Sequence, residues 1–298
     1  MDNLKKAYWQ MNIATILWGL TAILGRLISM DSFTLVWYRV VLVSISLLFM
    51  PGIIKSIRQL SIKSILLVGG IGILLCLHWV AWYGSIKLSN ASVAVSCIAC
   101  VSLFIAVLEP LFDKSTFQLS NILIGLMVIP GILFINQSLD LNYKKGFLVG
   151  IFAALLAAFY GILNKKYTQD IPPNEIMLVQ MVCSSLFLTI CLPFIIKFNH
   201  SSFIFPNKID LIYLIILSVF CTAIPFNLFL HALKASDAFT TALINNLEPI
   251  YGIILAAILL GENKELNSNF YIGTLIILSA VFIHALLNNK SFRKRLKF

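Results

Sequence analysis

Apolar residues run in long stretches along most of this chain, and polar residues concentrate in short segments between them. Almost every window of about 20 residues between Met11 and Leu287 is apolar enough to cross a bilayer as a helix. These stretches are apolar on all sides, whereas the strands of a membrane barrel alternate between polar and apolar positions. The pattern therefore predicts an all-α integral membrane protein.

Breaks such as Pro51-Gly52, Pro172-Pro173 and Gly261-Glu262 separate ten predicted transmembrane helices. The predicted spans are residues 11–29, 33–51, 64–83, 91–112, 119–137, 147–164, 175–196, 210–231, 238–260 and 270–287.

The pattern of the first half recurs in the second half. Lys87-Leu-Ser-Asn-Ala91 matches Lys234-Ala-Ser-Asp-Ala238 at an offset of about 147 residues, and an apolar helix follows each segment. Residues 33–39 likewise match 174–180, which places Gln180 opposite Arg39. We therefore expect two repeats of five helices each and a basic cytoplasmic tail. Their predicted bounds are residues 9–137, 147–287 and 288–298.

An odd number of spans in each repeat means that the second repeat enters the membrane inverted. With the N-terminus in the cytoplasm, 14 of the 22 Lys and Arg residues fall in inside segments and six in outside loops. The positive-inside rule therefore predicts that both termini are cytoplasmic. Inverted repeats of this kind are typical of secondary transporters.

Composition supports the membrane assignment and narrows the possible partners. The chain is 60% hydrophobic and 11% charged, with a mean hydropathy of +0.95, whereas a soluble domain is about 25% charged. The net charge of +10 arises at span ends, so we expect no nucleic-acid partner. All six cysteines lie in predicted spans. Cys97 and Cys100 lack further ligands to complete a zinc site, so we predict helix packing and no cofactor or metal.

Polar side chains inside the bilayer are costly, so each one is a candidate for function. Span nine holds Asn245, Asn246, Glu248 and Pro249, and Glu248 lies about 15 Å into that span. Pro249 removes a helical hydrogen bond and frees a backbone carbonyl. The group is a candidate substrate or proton site, and the alternative is a buried kink stabilised by the amides.

Arg39 in span two could extend outward to the headgroups or hold a carboxylate across a cavity. His78 and Trp79 in span three are further candidates, since histidine can relay a proton. Glu109-Pro110 resembles Glu248-Pro249 but falls about eight residues out of the repeat register. We expect Glu109 at a solvated helix end, with Lys114 as a possible partner. Further polar or aromatic candidates are Trp18, Tyr160 and Asn227.

These residues resemble the EamA-type members of the drug/metabolite transporter superfamily. The resemblance rests on Trp18-Gly19, the position of Arg39, the bends at Lys87 and Lys234, and Leu260-Gly261-Glu262 after span nine. The first-copy counterpart of that last signature, Phe112-Asp113-Lys114, departs from it. The resemblance implies ten helices around a central cavity and export of amino acids or other small metabolites across the bacterial inner membrane by alternating access.

We therefore expect a small-molecule substrate and the lipid bilayer as partners, with protons as a candidate coupling ion and a homodimer as a candidate assembly. A nucleotide-sugar or other organic-anion carrier is the alternative within transport, although only Arg39 supplies a basic residue at the cavity. A membrane-embedded enzyme is the alternative of another class, and no hydrolase motif supports it. A structural or partner-binding membrane protein is the third class.

Overall fold

The computed structural model describes residues 3–113, 129–131, 133–137, 139–199, 205–235 and 247–288. These residues form helices and connecting turns, with no strand among them. The helices are α1 (Asn3–Leu27), α2 (Ser32–Leu48), α3 (Ile53–Ile57), α4 (Ile62–Leu88), α5 (Ala91–Ile98), α6 (Val101–Asp113), α7 (Leu141–Tyr167), α8 (Pro173–Asn199), α9 (Lys208–Ser218), α10 (Ile224–Ala235), α11 (Glu248–Leu259) and α12 (Ser268–Asn288). Residues 129–131 and 133–137 are also helical.

Within the described residues, five helical segments are long and apolar enough to cross a membrane. They are Ile62–Leu88, Ala91–Phe112, Leu141–Tyr167, Pro173–Lys197 and Lys208–Phe229. Shorter apolar helices occupy Ser32–Leu48, Glu248–Leu259 and Ser268–Ala280. The described part of the chain is therefore all-helical, and its long apolar helices fit a membrane protein.

Side chains at the polar breaks start several of these helices. Asp31 accepts hydrogen bonds from the backbone N–H groups of Phe33 and Thr34, at 2.9 and 3.1 Å, at the start of α2. Asn90 and Asn207 cap α5 and α9 in the same way. Such caps satisfy backbone donors that the first helical turn leaves unpaired.

Two predicted spans are interrupted in the structure. Span four was expected to be one helix, but it divides into α5 and α6 at Ala99 and Cys100. In span eight, a π-helical turn over Val219–Ala223 separates α9 from α10. A π turn contains one residue more than an α turn and rotates the side chains that follow it, and such turns are frequent at functional sites.

Helix α4 lies at the centre of the described fold, against α7 and α8. The close approach depends on glycine, because a Cβ at Gly72 would lie 2.5 Å from the Cα of Gln180. Gly146 and Gly150 similarly leave room for Ser89 and Cys97. These glycines on α7 therefore form a packing surface for α4 and α5.

Cys97 and Cys100 are buried with free thiols, and no cluster of metal-ligating side chains occurs within the described part of the chain. The Cys97 thiol lies 3.6 Å from the carbonyl oxygen of Phe147 on α7. The prediction that this pair serves helix packing is in accord with that position.

Candidate functional site

Arg39 on α2 is buried in the helix bundle, with 2% of its surface exposed. Its Nε donates a hydrogen bond to Thr222 Oγ1 at 2.8 Å, and its Nη1 donates to the Tyr83 hydroxyl at 3.0 Å. The carbon at the centre of the guanidinium lies 3.8 Å from the centroid of the Trp79 ring. Arg39 therefore does not extend to the headgroups, and its charge rests against the electron-rich face of an aromatic ring.

The partners of Arg39 leave part of the guanidinium unused. The group carries five N–H donors, and Thr222 and Tyr83 each accept one. The guanidinium makes no other hydrogen bond to the part of the chain that the structure describes. One hydrogen on Nη1 and both on Nη2 thus remain available. Because those partners are neutral, an anionic group is needed to balance the charge.

Glu248 is the carboxylate whose charge acts on Arg39. It begins α11 and is half-buried, with Pro249 beside it in the first helical turn. The two charges are close enough to interact electrostatically. Across the described residues, however, no carboxylate oxygen lies within 4.0 Å of the guanidinium. The Glu248 carboxylate also accepts no hydrogen bond from a described residue.

Four helical elements therefore bring together a cation, a carboxylate and an aromatic ring: Arg39 from α2, Trp79 and Tyr83 from α4, Thr222 from the π turn and Glu248 from α11. No direct ion pair joins Arg39 and Glu248. This arrangement can bind a ligand that carries both charges, because such a ligand would supply each group with its missing partner.

The neighbouring candidate His78 faces α7, because its Nδ1 lies 2.8 Å from the carbonyl oxygen of Ala153. A carbonyl oxygen only accepts, so Nδ1 carries the proton in this contact, and in the neutral ring Nε2 is then an acceptor. The role of His78 as a proton relay stays a prediction.

Tyr160 belongs to a separate polar network between α7 and α8. Its hydroxyl donates to Gln180 Oε1 at 3.2 Å, and Gln180 Nε2 donates to Asn164 Oδ1 at 3.1 Å. Gln180 is fully buried. Gln180, which the repeat match places opposite Arg39, is therefore also a buried polar residue, although it is uncharged.

Trp18 and Asn227 link other pairs of helices. Trp18 packs edge-on against Phe226 and Phe229 of α10, at ring distances of 5.8 and 5.3 Å. Asn227 donates to Asn174 Oδ1 on α8 at 3.0 Å. Asn245 and Asn246 lie outside the described residues.

Glu109 pairs with Lys165 on α7 at 2.5 Å, and Lys114, the partner considered from the sequence, lies outside the described residues. Both side chains are partly exposed, which agrees with the expected solvated helix end.

Sequence reasoning missed two residues of the Arg39 group. Tyr83 lies four residues after Trp79 and thus on the same face of α4, so this spacing could have identified it. Thr222 lies in the π turn, and Pro225, two residues after that turn, marks a break in span eight without indicating which side chain the break redirects.

A second set of polar contacts ties the helices together at the end of the bundle where α1 ends. Glu262, which is 2% exposed, accepts hydrogen bonds from the backbone N–H groups of Ala91 and Ser92, at 2.9 and 2.8 Å, and from Ser92 Oγ at 2.6 Å. We call this set the Glu262 clamp. It fixes the start of α5 to the turn after α11.

Other contacts close the same end. Asp210 accepts hydrogen bonds from the backbone N–H and the hydroxyl of Ser29, at 2.9 and 2.5 Å. The ammonium group of Lys87 donates to the carbonyl oxygen of Ile28. At the other end of the bundle, Tyr8, Trp9, Asn12, Ile16 and Tyr251 line an open groove of about 410 Å³.

A bundle of apolar helices that encloses a buried arginine is typical of helical membrane proteins that act within the bilayer. The comparisons with known proteins specify the family. The profile of the EamA-like transporter family matches residues 5–137 and again residues 144–286. This chain belongs to that family, and it is a membrane transporter, as the sequence resemblance predicted.

A curated relative from Haemophilus influenzae is 24% identical over 296 residues, covers 92% of each chain and is described as an uncharacterized transporter. A solved crystal structure has a TM-score of 0.66 and 14% sequence identity, covering 99% of each chain. That likeness concerns the fold alone. Family and relative both indicate a transporter rather than an enzyme.

Proposed function

We propose that this transporter exports a small zwitterionic metabolite, such as an amino acid, by alternating access through a central cavity. The observation that carries the proposal is the Arg39–Glu248 pair. Each group has unused hydrogen-bonding capacity, and no ion pair joins the two. A carboxylate on Arg39 and an ammonium group at Glu248 would complete both partners.

The proposed topology has ten spans in two inverted repeats, both termini in the cytoplasm, and the cell's inner membrane as its location. The two separate matches of the family profile, each covering about half of the chain, support this layout. In this topology the Glu262 clamp lies on the outer side and the groove at Tyr8 on the inner side. The structure would then correspond to a state closed toward the outside.

The proposed roles follow from the site. Arg39 binds the carboxylate, and Trp79 and Tyr83 hold the guanidinium in place. Glu248 binds the ammonium group and is also the candidate site for a coupling proton, since a carboxylate can carry a proton when no ammonium occupies it. Trp18, Tyr160, Asn227, Asn245, Asn246 and His78 remain proposed cavity residues, and the homodimer remains a prediction.

The test is counterflow with the purified protein in liposomes loaded with the 20 common L-amino acids. Uptake is followed by mass spectrometry and repeated with amino-acid amides, which lack the carboxylate, and with N-acetyl amino acids, which lack the ammonium group. We expect transport of at least one amino acid and of neither derivative. Transport of the amide at the same rate as the acid would refute the assignment of Arg39.

Variants assign the two charges separately. Replacing Arg39 by Gln should weaken the preference for the acid over the amide by about tenfold or more, because a charge-assisted hydrogen bond contributes about 1.5–3 kcal/mol. Arg58→Gln is the control, since Arg58 lies outside the site. If Glu248→Gln leaves both transport and its pH dependence unchanged, Glu248 is not the coupling group.

A further inference from the structure

We propose that Thr222 is a positioning residue that sets the orientation of the Arg39 guanidinium, and that the π turn exists to direct its hydroxyl at Arg39. The proposal rests on the proposed function only in that Arg39 receives the carboxylate. The geometry on which it depends belongs to the structure itself.

The hydrogen bonds of Thr222 fix the direction in which its hydroxyl acts. Its single hydrogen is donated to the carbonyl oxygen of Leu217 at 2.8 Å. The oxygen can therefore only accept from Arg39 Nε, which lies 2.8 Å away. A hydroxyl held in this way acts as a fixed acceptor for the guanidinium, because it cannot rotate to become a donor.

The π turn makes this arrangement possible. In a regular α-helix, a threonine hydroxyl bonds the carbonyl three or four residues earlier. Thr222 instead reaches Leu217, five residues earlier, across the π turn over Val219–Ala223. Ser218 in the preceding turn also contacts α2, since its hydroxyl lies 3.5 Å from the Arg39 carbonyl oxygen. The segment from Ser218 to Thr222 thus contacts both the backbone and the side chain of Arg39.

The remaining contacts complete the orientation. Tyr83 accepts from Nη1, and the Trp79 ring covers one face of the guanidinium. These contacts fix Nε, one hydrogen of Nη1 and one face of the guanidinium. The Nη2 side is the part that remains open to a ligand. Losing Thr222 would leave a buried N–H without an acceptor, and the guanidinium would rotate to find another one.

The test observes Arg39 directly. The chain has only five arginines, at positions 26, 39, 58, 293 and 295, so labelling with ¹⁵N-arginine gives a side-chain NMR spectrum of five Nε–H signals at most. The Arg39 signal is assigned by its loss in Arg39→Lys. We expect it to be protected from solvent exchange, because Arg39 is buried and its Nε–H is bonded.

Three threonine variants separate the possible roles. Thr222→Val keeps the side-chain shape but removes the hydroxyl, and it should shift the Arg39 signal and raise its exchange rate by at least tenfold. Thr222→Ser should preserve the wild-type signal. The matched control is Thr274→Val, since Thr274 is a buried threonine that pairs with Ser96 instead. An unchanged Arg39 signal in Thr222→Val would overturn the proposal, as would equal changes in the Val and Ser variants.

The counterflow assay provides the functional arm, with the L-amino acids and their amides as probes. Thr222→Val should raise KM for the transported acid about tenfold with a smaller change in the maximal rate, and Thr222→Ser should restore it. If no amino acid is transported, the proposed function fails, but the NMR result still decides whether Thr222 positions Arg39. A lower maximal rate with unchanged KM would contradict a role in orienting the binding group.

Discussion

Removing the carboxylate of the Glu262 clamp should destabilise the protein far more than removing a neighbouring carboxylate. Glu262 accepts three hydrogen bonds at the start of α5, where Ala91 and Ser92 are at most 1% exposed. Hydrogen bonds to a charged group contribute about 1.5–3 kcal/mol each. Glu262→Gln keeps one acceptor oxygen and should lose about 2–4 kcal/mol. Glu262→Ala leaves two buried backbone donors unpaired and should lose more.

Glu265 provides the matched control in the same turn. Its carboxylate also accepts two hydrogen bonds, from Asn90 Nδ2 at 3.2 Å and from the Tyr143 hydroxyl at 3.1 Å. Glu265 is exposed, so water can replace those partners, and Glu265→Gln should cost at most about 1 kcal/mol.

The assay is equilibrium unfolding in mixed detergent micelles, with helicity followed by circular dichroism. The expected order of stability is wild type, Glu265→Gln, Glu262→Gln and Glu262→Ala. If Glu262→Gln and Glu265→Gln unfold at the same detergent fraction, burial of the clamp does not strengthen it and the reasoning is wrong.

Two further predictions concern packing and the surface. Gly72→Ala should destabilise the bundle by about 1–3 kcal/mol, because the new methyl group would meet the backbone of Gln180. A Cβ at Gly70 would have no neighbouring atom within 4 Å, so Gly70→Ala should be neutral in the same unfolding assay. Lys165→Gln should change stability by about 1 kcal/mol or less, because the pair with Glu109 is solvated, and a double-mutant cycle with Glu109→Gln measures the coupling.

The apolar pattern predicted where helices occur because burial in lipid depends on composition over about 20 residues. Span three was expected over residues 64–83, and α4 runs from Ile62 to Leu88. The two interior breaks were harder to predict. No proline or glycine occupies positions 99 and 100, so that break depends on tertiary contacts. The π turn contains ordinary residues, but Pro225 follows it by two residues and cannot donate a helical hydrogen bond.

The candidate site was partly predictable for the same physical reason. Charges at membrane depth are rare, so Arg39 and Glu248 stood out in the sequence, and the structure buries Arg39 inside the bundle. From the sequence alone, the Arg39 side chain could extend to the headgroups or line a cavity. Its burial against Trp79 depends on how α2 meets α4, which spacing within either helix does not reveal.

Glu262 was quoted only as part of a family signature, and its contacts were not predicted. They join residues separated by about 170 positions in the chain. Its capping of α5 arises because the turn after α11 lies beside the start of that helix. A capping residue normally lies within a few positions of the helix that it caps, so local sequence patterns do not reveal it.

The separation of Arg39 from Glu248 has an electrical consequence. Arg39 is cationic at any physiological pH, so with Glu248 ionised the empty site is neutral, and a bound zwitterion leaves it neutral. A cycle of this kind transfers no net charge and is insensitive to membrane voltage. With the proposed roles, a proton on Glu248 gives the empty site a single positive charge, and moving that charge through the field costs about 2.3 kcal/mol per 100 mV. Current measured across a membrane containing the transporter would then count the protons exchanged for each substrate molecule.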